Sequence, residues 1–137
     1  MVLVDTSAWI EVFRKPQRLV LEDVVDFDDV VTCLPIVQEV LQGFTSELAF
    51  RAGREAMLAL PIVESPLGDA VHLDAVDLYR RARRAGITVR SSVDCLIAAC
   101  AIRHGLTVLH NDRDYPAIAR ISELQERQIP RAVSARG

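Results

Sequence analysis

Apolar positions along this chain fall into two periods, and the switches between them mark out strands and helices. Val2-Leu3-Val4 is a short β-branched run ended by the polar triplet Asp5-Thr6-Ser7. Trp9, Ile10 and Phe13 then recur at helical spacing across Ala8 to Arg14. Val30 to Cys33 predicts a second strand, and Pro35 suits the first turn of a helix from about Ile36 to Leu41 that stops near Gly43. Leu48 to Leu60 and Ala70 to Ala85 read as two more helices, the first capped by Thr45 or Ser46 and the second stopped by Gly86. Pro61-Ile62-Val63 leaves room for a short strand between them.

The stretch from Ser91 to Tyr115 is the most informative. Ser91 or Ser92 caps a helix holding Asp94, and its body from Cys95 to Ile102 is apolar on every side, so it must be buried all round. Gly105 ends that helix. Leu106 to Leu109 is a β-prone run stopped by His110-Asn111-Asp112, which predicts a strand parallel to the first. Asp114 with Pro116 opens a further short helix, and 130–137, carrying Arg131 and Arg136 without periodicity, is expected to be a frayed tail. Strands alternating with helices predict an α/β fold, a three-layer α/β/α sandwich around a central, mostly parallel sheet.

Length and composition narrow the class. With 137 residues, half of them apolar, the chain suffices for one core, so 1–137 is expected to be a single domain. The longest purely apolar run is far short of the roughly 20 residues that cross a bilayer, and the N-terminus shows no basic or long apolar leader. A cytoplasmic protein with no membrane association is expected. Cys33, Cys95 and Cys100 have no Cys-x-x-Cys spacing and sit among apolar neighbours, which suits reduced core thiols rather than a zinc site. Of sixteen basic residues only Lys15 is a lysine. No P-loop is present, and the lone lysine is misplaced for the phosphotransfer enzymes and receivers that set an ammonium beside the phosphoryl group.

In open α/β sheets the functional crevice lies at the carboxyl ends of the strands, where Asp5 and Asp112 fall. Asp94 in a helix's first turn and Glu39 about one turn into another helix are placed to join them. Four carboxylates within about 4–5 Å would repel by about 4 kcal/mol per pair at an effective dielectric of 20. Partial protonation or a divalent cation relieves that. An all-oxygen set without His or Cys selects Mg²⁺ or Mn²⁺, which can activate a water and stabilise the leaving oxygen of a phosphodiester.

Val4-Asp5-Thr6-Ser7-Ala8-Trp9, Pro35 through Glu39 to Gly43, Ser92 to Ala99 and Leu109 to Tyr115 resemble, in order, the motifs of a PIN domain, and more narrowly of the VapC toxins of bacterial VapBC toxin–antitoxin pairs. The resemblance runs from Val2 to about Leu124. It implies a toxin-type endoribonuclease in which Asp5, Glu39, Asp94 and Asp112 hold Mg²⁺ or Mn²⁺, with Asp114 an auxiliary acid. It further implies cleavage to 5′-phosphate and 3′-hydroxyl ends, a homodimer, and a VapB-like antitoxin whose C-terminal segment covers an apolar groove and plugs the acidic crevice. Trp9, Phe13, Phe44 and Phe50 are the apolar candidates for that groove. Tyr115 stands where the family often has Phe, and His110-Asn111 replaces a more usual Thr-containing pair.

Each residue also has a plainer reading. Asp5 and Asp94 could be ordinary helix caps, Glu39 a solvated helix residue, and Asp114 the N-cap of the helix at Pro116. The acidic run from Glu22 to Asp29 lacks the glycine and terminal glutamate of a calcium loop and reads as solvated. His72, His104 and His110 have no metal-binding spacing and read as surface or supporting residues. Arg80, Arg81, Arg83 and Arg84 lie outward of an inner stripe of Val71, Ala75, Leu78, Ala82 and Ala85. With Arg90 they form either a solvated face or, for Arg84 and Arg90 in particular, a contact for RNA phosphates. Thr6 and Ser7 are further candidates for substrate contact. The rival reading is a catalytically silent PIN-like module that binds RNA or protein.

Overall fold

The computed structural model describes residues 1–130, so the tail expected to fray lies outside the described residues but for Pro130. β1 (Val2–Val4) leads into α1 (Thr6–Phe13), and two 3₁₀ turns at Leu21–Asp23 and Phe27–Asp29 carry the chain to β2 (Val30–Cys33). There follow α2 (Leu34–Gln42), α3 (Glu47–Leu58), β3 (Ile62–Val63), α4 (Asp69–Arg84), α5 (Ser92–Arg103), β4 (Thr107–His110), α6 (Asp114–Ala119) and β5 (Gln125–Gln128).

All five described strands are parallel, in the order β3-β2-β1-β4-β5. Val2 of β1 lies opposite Val30 on one side and Thr107 on the other, which makes β1 the centre of the sheet. β1, β2 and β4 are almost wholly buried, as strands covered on both faces must be, and this is why they read as continuous apolar runs. The chain leaves β1 toward β2 and β3, then returns to the opposite side for β4 and β5. Right-handed crossovers turn that reversal into two helical layers. α1, α2 and α3 pack in sequence, as do α4, α5 and α6. The predicted sandwich is met.

α5 buries Cys95 and the run from Ile97 to Ala101, but Leu96 and Ile102 are half-buried, so the helix is not enclosed on every side as expected. Its small residues let α4 lie close, through the stripe Val71, Ala75, Leu78 and Ala82. Ala85 falls off that stripe and is exposed, one residue past the helix. Gly86 and Gly105 end α4 and α5 in the left-handed conformation, at φ 71° and 63°, where any other residue would be strained. All three cysteines are buried and free. The acidic run is exposed around Leu21, which anchors its first turn in the core. Helix ends differ from expectation by a residue or two; α1 starts at Thr6 rather than Ala8 because Asp5 caps it. β5 has no signal in the sequence: Gln-Glu-Arg-Gln holds no β-branched residue, yet it pairs as an edge strand from Thr107↔Gln125 to His110↔Gln128. No described helix is long and apolar enough to cross a membrane.

Candidate metal centre

β1 and β4 are the neighbours at which the strand order reverses, so the residues just beyond them face one crevice. Asp5 ends β1 and caps α1. Its Oδ2 accepts from the Ser7 backbone N–H at 3.0 Å and the Ser7 hydroxyl at 2.6 Å, while its Oδ1 accepts from the Tyr115 hydroxyl at 2.6 Å. Ser7 Oγ in turn accepts the Asn111 N–H at 2.8 Å, lacing the end of β1 to the end of β4. Thr6 donates from Oγ1 to Glu39 Oε1 at 2.9 Å, which draws α2 to the same crevice.

On the other side, Asp112 Oδ1 accepts the Asp114 N–H at 2.9 Å, closing the turn that leads into α6. Asp114 is not the cap of that helix. Its two oxygens take the Arg90 N–H at 3.0 and 3.1 Å and the Ser91 N–H at 2.9 Å, which fastens the segment leading into α5. Asp94, in the first turn of α5, has Oδ1 3.3 Å from the Tyr115 hydroxyl, and its Oδ2 is sealed from solvent with no partner. Oxygens of Asp94, Asp112 and Asp114 lie within 4.8 Å of one another.

The electrostatics follow from this crowding. Asp94 is pushed up to about 9, first by burial and then by the carboxylates of Asp114, Asp112 and Asp5. Glu39 is raised for the same leading reason; the Thr6 bond opposes the shift, and the charges of Asp5 and Asp112 add to it. Burial and the facing aspartates also hold the Tyr115 phenol well above its usual range. Four acids converge where nothing positive from the described side chains reaches the orphaned Asp94 oxygen. The three acids whose oxygens come together, Asp94, Asp112 and Asp114, form an all-oxygen set that could hold a hard divalent cation, and Asp5 and Glu39 lie outside that group.

Other sequence expectations land differently. The hydroxyls of Thr6 and Ser7, expected to meet substrate, are bonded to Glu39 and Asp5. His110 is wholly buried: its Nδ1 accepts the Asp112 N–H at 3.1 Å, so Nε2 carries the proton, 3.4 Å from Glu126 Oε1 on β5. Its ring lies 5.0 Å from that of Tyr115. Sequence reasoning missed the bond from Tyr115 to the acids. The available signal was a tyrosine on a short buried helix, because a buried phenol hydroxyl needs a partner.

Two grooves approach the centre. One, of about 380 Å³, is walled by Ile10, Phe13, Val40 and Phe44, with Arg14 and Glu39 at its edge. Phe13 stacks on Trp9 at 5.6 Å and meets Phe44 edge-on at 5.3 Å. Gly53 of α3 lies under the Phe44 ring, where a Cβ would overlap it. Of the four apolar candidates, Phe13 and Phe44 line this groove, Trp9 is buried beneath it and Phe50 is outside it. The second groove, of about 670 Å³, is bordered by Tyr79, Arg80, Arg83, Arg90, Ser92 and Leu96, with the Arg83 guanidinium 5.1 Å from the Tyr79 ring centre. Arg90 is there as expected, whereas Arg84 is exposed outside it and Arg80 and Arg83 take its place.

The sequence model of the PIN domain family matches residues 2–121. A VapC ribonuclease of Mycobacterium bovis and the ribonuclease VapC11 of Mycobacterium tuberculosis are each 41% identical to this chain over 134 residues, covering 91% of it and 96% of the relative. Among solved structures, VapBC2 from Rickettsia felis, bound to a promoter DNA fragment, superposes with a TM-score of 0.74 at 15% identity, covering 95% of this chain and 100% of that one. VapBC-5 from Mycobacterium tuberculosis gives 0.70 at 21% identity, covering 93% and 97%. These neighbours share the fold, and the 41% relatives carry the closer kinship: the chain belongs to the PIN domain family and, within it, to the VapC ribonucleases.

Proposed function

We propose that this chain, acting as a single nuclease domain in the cytoplasm, is a Mg²⁺- or Mn²⁺-dependent endoribonuclease neutralised by a VapB-like antitoxin. The observation that carries this reading is the sealed, unpartnered Oδ2 of Asp94 inside a cluster of acids. A buried carboxyl oxygen left without a partner is costly, and a cation that displaces the Asp94 proton answers it. Asp5 and Asp94 are the direct ligands. Glu39 and Asp112 complete the set or orient water, and Asp114 is auxiliary. The ion, when bound, supplies neutralising charge, an activated water and stabilisation of the oxygen leaving phosphorus. Glu39, half-buried with Oε1 held by Thr6, keeps its other oxygen for a proton released by the attacking water.

Arg80, Arg83 and Arg90 offer phosphate contacts on one flank of the centre, which lets an acidic chain of net charge -3 approach RNA. The apolar groove beside Glu39 suits an antitoxin segment that presents large apolar side chains and blocks the acids. A homodimer pairing through α4, where Leu73 and Val76 are 67% and 53% exposed, would bring two arginine rims together.

The test is to produce the chain and Asp5→Asn side by side and map cleavage ends in total RNA with Mn²⁺ present. Asparagine still caps α1, so the variant folds. Cleavage should vanish in the variant, and equal cleavage by both chains would remove Asp5 from the centre and the nuclease reading with it.

A further inference from the structure

Tyr115 is fully buried on α6, yet its hydroxyl lies at the meeting point of two other elements, 2.6 Å from Oδ1 of Asp5 at the end of β1 and 3.3 Å from Oδ1 of Asp94 on α5. Among the described residues no other side chain bonds both. A hydroxyl has one proton, which Tyr115 directs chiefly to Asp5 at the shorter contact, with Asp94 Oδ1 as the weaker second acceptor of the same O–H. With Ser7 on Oδ2 and Tyr115 on Oδ1, both oxygens of Asp5 are pinned, so the carboxylate plane cannot turn. Each oxygen still has a lone pair to spare, because an ionised carboxylate offers about four acceptor positions. The ring itself is held by burial and by His110, whose plane is tilted 37° to it and whose Nδ1 fixes the turn carrying Asp112.

We infer that Tyr115 is a positioning residue of the acid centre: its hydroxyl presets Asp5 and Asp94 in the arrangement that receives a divalent cation. This rests on the metal-dependent reading given above. Without the oxygen, Asp5 can rotate about its side-chain torsions, and ordering it again is charged against cation binding. Groups that hold ligands in this way typically contribute 10–100-fold in metal affinity.

Tyr115→Phe deletes one atom and keeps the ring. Mn²⁺ binding is followed by the loss of the free-ion electron paramagnetic resonance signal, and cleavage is followed as a function of Mn²⁺. The variant should bind Mn²⁺ about tenfold more weakly, in line with such supporting partners. Its half-saturation for cleavage should move by the same factor while turnover at saturating Mn²⁺ stays close to the parent's. A purely structural role predicts the reverse, a lower melting temperature with unchanged Mn²⁺ affinity, and that result overturns the inference, as does tighter binding. If the unsubstituted chain binds no Mn²⁺, the nuclease reading falls too; if both chains bind it equally, only the role of Tyr115 falls. Should Tyr115→Phe fail to fold, fluorotyrosine is incorporated into the unsubstituted chain, which has two tyrosines. The Tyr115 fluorine resonance must then shift saturably with Mg²⁺ while that of Tyr79 does not, and a Tyr115 signal indifferent to Mg²⁺ overturns the proposal.

Discussion

Asp94 and Asp114 sit in one cluster, 5% and 2% exposed, and differ in what answers their charge. Asp114 takes backbone N–H groups from Arg90 and Ser91 with both oxygens. Asp94 has the single long contact to Tyr115, and its other oxygen faces nothing. Two acids of similar burial thus differ in their partners: one fastens the start of α5, and the other keeps an oxygen with no hydrogen-bond partner. Burial and identity alone do not separate them; their partners do.

The sharpest way to break this contrast is Asp94→Asn. Mn²⁺ binding should be lost and cleavage should fall by more than about 100-fold, beyond what a supporting residue usually costs. The contrast would collapse if Asp94→Asn kept its metal while Asp114→Asn lost it. Acidity gives the next largest effect. Burial and the neighbouring carboxylates push Asp94 up to about 9, far above the usual carboxylate range, so the folded chain binds the extra proton and its stabilisation is complete only at low pH. The metal-free melting temperature should therefore fall as pH rises from about 4 toward 9, and Mg²⁺ should restore it. Asp94→Asn should flatten that fall, making the variant the more stable chain at pH 9 without metal.

Asp114→Asn should lower stability by about 1–3 kcal/mol, the usual cost of weakening charged acceptors on buried donors, as read by urea unfolding. Its Mn²⁺ affinity should decline less than that of Asp94→Asn. Smallest is Ser7→Ala, which removes one donor to Asp5 and the acceptor for the Asn111 N–H. A loss of about 1 kcal/mol in stability is expected, with Mn²⁺ affinity near the low end of the 10–100-fold range, measured by calorimetry.

Strand ends were readable because Asp5 and Asp112 each follow an apolar run that can only be a central strand, and parallel sheets gather such ends on one edge. Asp94 was readable as an acid at the start of an all-apolar helix. What stayed hidden was set by contacts between distant segments. Asp114 looks like the cap of its own helix, and only the loop at Arg90, 24 residues upstream, shows what it binds. Tyr115 reaches Asp5 across 110 residues. β5 escaped because an edge strand needs only backbone pairing, and nothing in Gln-Glu-Arg-Gln advertises it. The bonds of Thr6 to Glu39 and of Ser7 to Asp5 were hidden too, since a hydroxyl beside a carboxylate bonds the nearest strong acceptor.

The parallel pairing of β1 with β4 joins the first turn of the polypeptide to its final quarter. Asp5 is held by partners far along the chain, the serine-to-asparagine lace at residue 111 and the tyrosine at residue 115. Fragments that end just before α6 therefore bear all four of Asp5, Glu39, Asp94 and Asp112 without the tyrosine clasp between Asp5 and Asp94.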